Sequence, residues 1–135
     1  MQMQPIPFVY AIISVMFLSP ALAEDLKLTR DAQSGVESRI AYARLWDRGC
    51  NSLPLVVTIT RNPANGTASV VQGTSVIPAS TPTSGSTGAC AGKTIMGNEI
   101  MYRSKPGFRG IDTLSYDNVS GSGPRQSTTI TINVK

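Results

Sequence analysis

Near the C-terminus, Ile130, Ile132 and Val134 alternate with Thr129, Thr131 and Asn133. An apolar residue at every second position is the period of a strand with one face buried and the other in water. After residue 23 no window sustains a 3.6-residue period, so the chain is expected to be all-β. Leu53 to Thr60 is β-branched and alternates from Val57 on, with Pro54 at its start, where a missing N–H is tolerated. Asn65-Gly66 follows, a strong cue for a tight turn because both residues tolerate positive φ. The expectation is a β-hairpin over Leu53–Val71, returning along Thr67–Val71. Val76-Ile77 adds a short strand, and further strands are expected over Asn98–Ser104, Asp112–Asn118 and Ser127–Val134.

Two segments leave alternatives open. Residues 24–38 are polar and read as a flexible lead-in or an edge strand. In Ile40–Trp46, Ile40, Tyr42 and Trp46 share one parity and Ala41, Ala43 and Leu45 the other, but Arg44 falls on the aromatic side. A strand and a short helix both fit there. Pro78–Ala91 is rich in Ser, Thr, Gly and Pro and reads as a long loop, a surface insertion or a binding segment. Seven or so short strands separated by turn signals predict a sandwich.

The N-terminus is of another kind. Pro7 to Leu18 is almost wholly apolar and uncharged, Ser19-Pro20 breaks it, and Ala21-Leu22-Ala23 has the small-x-small pattern of a cleavage site. This predicts a signal peptide over 1–23, although Met1–Pro7 lacks Lys and Arg. The other reading, an uncleaved anchor, is disfavoured by an apolar run shorter than the roughly 20 residues a bilayer needs. Cleavage leaves Glu24–Lys135, enough for one domain: a lead-in over 24–38 and a sandwich over 39–135. No membrane span is expected after cleavage, and the location expected is periplasmic or secreted.

Cys50 and Cys90 are the only cysteines. In an exported chain an even count predicts a disulfide, which stabilises by roughly 4 kcal/mol for a loop of about 40 residues. Two free thiols or a two-cysteine metal site are the alternatives, and the chain has no histidine to complete a zinc or copper site. The net charge is +4, with Lys and Arg dispersed along the chain. Dispersed charge argues against a nucleic-acid partner and supports a loose attraction to anionic cell-surface polymers.

The stretch from Lys105 to Tyr116 concentrates turn residues. Pro106-Gly107 suits the central positions of a type II turn, which aims Phe108 at the end of the core. Gly110 relaxes the backbone again. Asp112, Leu114 and Tyr116 share a face, so Asp112 is an inward carboxylate at the rim, satisfied by the N–H groups of a tight turn. The pattern parallels the tyrosine corner of immunoglobulin-like folds, with the Tyr116 hydroxyl bonding back to the connecting turn. The functional alternative for Asp112 is calcium, with Asp117, but no acidic cluster supplies the 6–8 oxygen ligands.

Pro63-Ala64-Asn65-Gly66-Thr67, Tyr102, the run Pro106-Gly107-Phe108-x-Gly110-x-Asp112-x-Leu114-x-Tyr116 and Thr129-x-Thr131-x-Asn133-Val134 together resemble the bacterial cadherin-like or immunoglobulin-like repeat. The resemblance covers roughly Leu53–Val134. It implies an immunoglobulin-like β-sandwich on the bacterial surface or in the periplasm. The family comes as tandem repeats in long adhesins, whereas one copy follows a signal peptide here, as in small exported proteins of Gram-negative bacteria. Its inter-repeat calcium-binding acids have no counterparts, and Trp46-x-x-x-Cys50 and Cys90-x-Gly92 are additions.

Without histidine, Ser-His-Asp and Cys-His hydrolysis are excluded. Glu99 has no evident partner carboxylate, and Ser104-Lys105 point to opposite faces of a strand, so no catalytic residues are expected. The expected function is a non-enzymatic, adhesion-like envelope module, structural or binding a protein or polysaccharide. Its candidate faces are the 81–91 loop and the basic group Arg103, Lys105 and Arg109 beside the corner, for which a solvated rim is the plainer reading. The alternative is a periplasmic carrier of a small ligand or metal ion, with a pocket under the long loop near Tyr42 and Trp46. No cofactor is expected.

Overall fold

A computed structural model describes residues 25–79, 90–121 and 123–135. The signal-peptide segment 1–23 and most of the 78–91 loop lie outside the described residues. The strands are β1 (Leu26–Ala32), β2 (Ser38–Ala43), β3 (Val56–Arg61), β4 (Gly66–Val76), β5 (Thr94–Ser104), β6 (Gly110–Val119) and β7 (Arg125–Val134). They form a four-stranded sheet of order β1-β7-β6-β3 and a three-stranded sheet of order β2-β5-β4. The described residues are all-β, a two-sheet β-sandwich. β1 pairs parallel to β7, and every other pairing is antiparallel. Among the described residues no helix is long and apolar enough to cross a membrane.

Alternation decides which side chains meet. Leu114 and Tyr116 of β6 and Ile130, Ile132 and Val134 of β7 face Ile40, Ala41 and Ala43 of β2 and Ile100 and Tyr102 of β5. Phe108 packs against this core from the turn before β6. A second cluster of Ile77, Cys90 and Ile95, with Trp46 and Cys50 against it, closes the far end of the β4–β5 ribbon. The segment 40–46 is no helix: β2 runs through Ala43, and Trp46 bridges Ser52.

The Leu53–Val71 hairpin does not form. β3 pairs with β6 and β4 pairs with β5, so the chain crosses between sheets at residues 62–65. Neither Asn65 nor Gly66 adopts positive φ, so the backbone conformation a two-residue hairpin turn needs is missing. Gly66 serves another purpose. A Cβ there would press on the Arg103 carbonyl and lie 2.8 Å from the Tyr102 ring, so only glycine lets β4 start against that tyrosine. β4 then runs unbroken to Val76 and absorbs the short strand expected at Val76-Ile77.

Candidate functional site

Two polar constellations stand out. The first is built on Asp112, buried with 3% exposure at the rim of the core. Its Oδ1 accepts the N–H groups of Ala64 at 3.1 Å and Thr113 at 3.0 Å. Its Oδ2 accepts the Asn65 N–H at 3.1 Å and the Tyr102 hydroxyl at 2.8 Å. Two of these donors belong to a tight turn, as expected, but it is the turn at Ala64-Asn65 and not the one at Pro106-Gly107. The latter turn is self-contained: Phe108 N–H donates to Lys105 C=O at 3.1 Å, Gly107 has φ +80°, and Pro106 has no N–H to give. The tyrosine corner is corrected. Tyr116 is buried in the core, and the hydroxyl that reaches this corner is that of Tyr102, on the opposite sheet. Burial, then the Asp112 carboxylate, pushes the Tyr102 phenol well above its usual range.

With both oxygens occupied by protein donors, Asp112 is a structural joint. Asp117 has the opposite parity on β6; its Oδ1 accepts from Ser127 Oγ at 2.7 Å and its Oδ2 lies 3.5 Å from Arg125 Nη1. Among the described residues no three Asp, Glu, Cys or His side chains gather as metal ligands. Arg103, Lys105 and Arg109 are all exposed. Arg103 has the outward parity of β5, and Lys105, just past the strand, reaches the Ala64 carbonyl with its ammonium at 3.4 Å.

The second constellation lies on the outer face of the three-stranded sheet. Ser38, Ala41 and Ala43 pair with the inward-facing Tyr102, Ile100 and Asn98, while Arg39 and Tyr42 pair with the outward Met101 and Glu99. A bulge between Arg39 and Ala41 makes this possible. It shifts the alternation by one, so Ile40, Ala41 and Ala43 enter the core while Arg39, Tyr42 and Arg44 all face outward. The Arg39 and Arg44 guanidiniums lie 4.7 and 5.2 Å from the centre of the Tyr42 ring, worth about 0.5–1 kcal/mol each at an exposed site. Arg39 is held by Glu99 at 3.1 Å and Arg44 by Ser75 Oγ at 2.6 Å.

The cross-strand pair Gly73–Gly97 gives the stack its seat. A Cβ on Gly97 would sit 2.9 Å from Arg44 Cβ and 3.4 Å from the Tyr42 ring, and one on Gly73 would sit 2.8 Å from the Glu99 carboxylate. Tyr42 thus crosses β5 and donates its hydroxyl to the Thr74 carbonyl at 2.7 Å. The surface presents fixed guanidinium groups suited to carboxylate, sulfate or phosphate oxygens. Sequence reasoning missed it, and the misfit of Arg44 in the alternation was its one visible trace. Tyr42 lies between guanidiniums and Trp46 packs on the second cluster, while most of the loop expected to cover a pocket near them lies outside the described residues.

Cys50 and Cys90 form a disulfide with Cα atoms 5.4 Å apart. It ties the loop after β2 to the residue that opens the approach to β5. Within that loop Asp47 accepts the Asn51 N–H at 2.9 Å, which, with the Asn51 side chain, holds its carboxyl below the ordinary aspartate value.

No protein-family model matches the chain, and comparison with curated proteins and with solved structures finds no significant match.

Proposed function

We propose that this chain is an exported, non-enzymatic immunoglobulin-like module of the bacterial envelope that binds an anionic partner through the outer face of its three-stranded sheet. The immunoglobulin-like assignment is supported by strand order. Lettered A to G in chain order, the sheets are A-G-F-C and B-E-D, which differs from a constant-type domain in placing the first strand beside the last. Export is supported by the apolar run Pro7–Leu18 with the Ala21-Leu22-Ala23 pattern after it, and by a disulfide, which is compatible with an oxidising compartment.

The observation that carries the binding reading is the Tyr42 ring flanked by Arg39 and Arg44. Arg103 on the same outer face extends the positive charge, and Glu99 offsets one guanidinium. Side chains already fixed by neighbours lose less entropy on binding than free ones. The partner class is an acidic polysaccharide or an acidic protein surface.

Immobilised acidic polysaccharides and envelope extract should retain the protein at low salt and release it as salt rises. Arg39→Gln with Arg44→Gln should abolish retention without lowering the melting temperature by more than a few degrees. Retention unchanged by the double substitution would reject this face. A thermal-shift screen against ions and small glycans separates the carrier alternative, which requires stabilisation by a small ligand.

A further inference from the structure

Four strands border the two sheets, and three of them discourage pairing with another chain. β1 carries Lys27, Arg30 and Asp31 within seven residues. β3 has six residues, a register shift before Arg61 and that arginine at its end. β2 has six residues, Arg39 and the bulge described above. Charge, shortness and bulges are the devices by which natural sheets protect their edges.

β4 has none of them. Its eleven residues, Gly66–Val76, read GTASVVQGTSV, with no charge and no proline. Its register on β5 is unbroken from Gly66↔Ser104 to Val76↔Thr94. Among the described residues no strand pairs with its other side. An edge strand carries N–H and C=O groups turned away from its sheet, and a long uncharged one is a template for another strand.

We propose that β4 pairs antiparallel with β4 of a second copy of this chain, joining two three-stranded sheets into one of six strands. A second copy is the occupant because the strand suits itself. Self-pairing about a two-fold axis at Val71 sets Val71 against Val71, Ser69 against Gly73 and Thr67 against Ser75 of the other copy. No like charges meet anywhere along it, and the central pair is β-branched. Val71, 41% exposed, gains an apolar neighbour in the Val71 of the other copy. The two-fold axis runs through the sheet, so both Arg39–Tyr42–Arg44 stacks emerge on one side of a continuous surface. Two weak contacts with a repeating polymer then act as one stronger contact.

Sedimentation velocity and light scattering on the protein expressed from its full sequence test this. A reversible dimer is expected at concentrations up to about 1 mM. Val71→Lys, which sets two ammonium groups face to face, should shift the dissociation constant by tenfold or more. Val56→Lys, on the equally exposed edge strand of the other sheet, should leave the dimer intact. Circular dichroism and melting temperature verify that both variants are folded. A monomer across the whole range, or a dimer that Val71→Lys leaves unweakened, overturns the proposal. Dimerisation is read without any ligand, and because Val71 lies opposite Glu99 of the binding face, that face is judged by Arg39→Gln with Arg44→Gln alone, so the two readings fail separately.

Discussion

Asp112 joins the two sheets, and replacing it with alanine measures that joint. The carboxylate sits on β6 of the four-stranded sheet and accepts from Tyr102 of the three-stranded sheet and from Ala64 and Asn65, where the chain crosses between them. A hydrogen bond to a charged group contributes roughly 1.5–3 kcal/mol, and a buried donor left without a partner costs about 1–3 kcal/mol. The Tyr102 side chain is 1% exposed, so its hydroxyl takes the full penalty. The turn amides are only partly buried, and water replaces some of what they lose. Asp112→Ala is therefore expected to cost about 3–5 kcal/mol, a large share of the roughly 5–15 kcal/mol of a typical domain. Asp112→Asn should cost less: one oxygen still serves Ala64 and Thr113, while the amide nitrogen opposes the Asn65 N–H. Tyr102→Phe removes a single bond and should cost about 1–2 kcal/mol in the native background and much less beside Asp112→Ala. Urea unfolding followed by Trp46 fluorescence and circular dichroism gives all four corners of the cycle. An Asp112→Ala loss below about 1 kcal/mol, or a Tyr102→Phe cost equal in both backgrounds, refutes the joint.

Two glycines should fail for different reasons. Gly66→Ala drives a Cβ against the Arg103 carbonyl and the Tyr102 ring and should cost about 2–3 kcal/mol, whereas Gly107→Ala meets nothing within 4 Å and should cost only the roughly 1–2 kcal/mol of its φ of +80°. Equal losses in urea titrations would contradict this split. Cys50→Ser with Cys90→Ser should lower stability by roughly 4 kcal/mol, less any native-state strain. Intact mass should show no alkylation before reduction and two labels after it; two labels before reduction would reject the bridge. Tyr102 prefers its protonated form in the folded state, so its contribution is whole below the unfolded tyrosine value of about 10 and falls as pH rises beyond it. Urea midpoints between pH about 8 and 11 should decline less steeply in Tyr102→Phe, and identical slopes would refute the assignment.

The strands were legible because each buries one face, and period-two alternation is a local record of burial. Ile130, Ile132 and Val134 are all in the core. Which strands pair was less legible. Asn65-Gly66 is a local turn signal, but the crossing is fixed by Asp112, 47 residues from Asn65. No local rule weighs such a partner, and so a hairpin was expected where the chain changes sheets. The outer-face stack was hidden by one inserted residue. Read with a constant period, Tyr42 shares a face with Ile40 and lies opposite Arg39. The bulge reverses both relations, and a phase shift of one residue leaves no mark except Arg44 standing out of pattern. The inward carboxylate at residue 112 was readable from parity, whereas its tyrosine was not. Tyr102 and Tyr116 both face the core, and only the packing of opposed strands selects between them.

The Asp112 joint and the disulfide divide the work of holding the sandwich together. The joint closes the end of the β4–β5 ribbon where Gly66 faces Ser104, and the Cys50–Cys90 cluster closes the end beyond Val76 and Thr94. Eleven residues at about 3.3 Å each separate them, so neither can substitute for the other. Between these fixed ends, the outer face carries the Tyr42 stack on a glycine pair that has no side chains of its own to pack. A charged surface resting on so little needs its underlying sheet held at both ends. A buried carboxylate beside the main core holds one end, and a covalent bond within the second cluster holds the other.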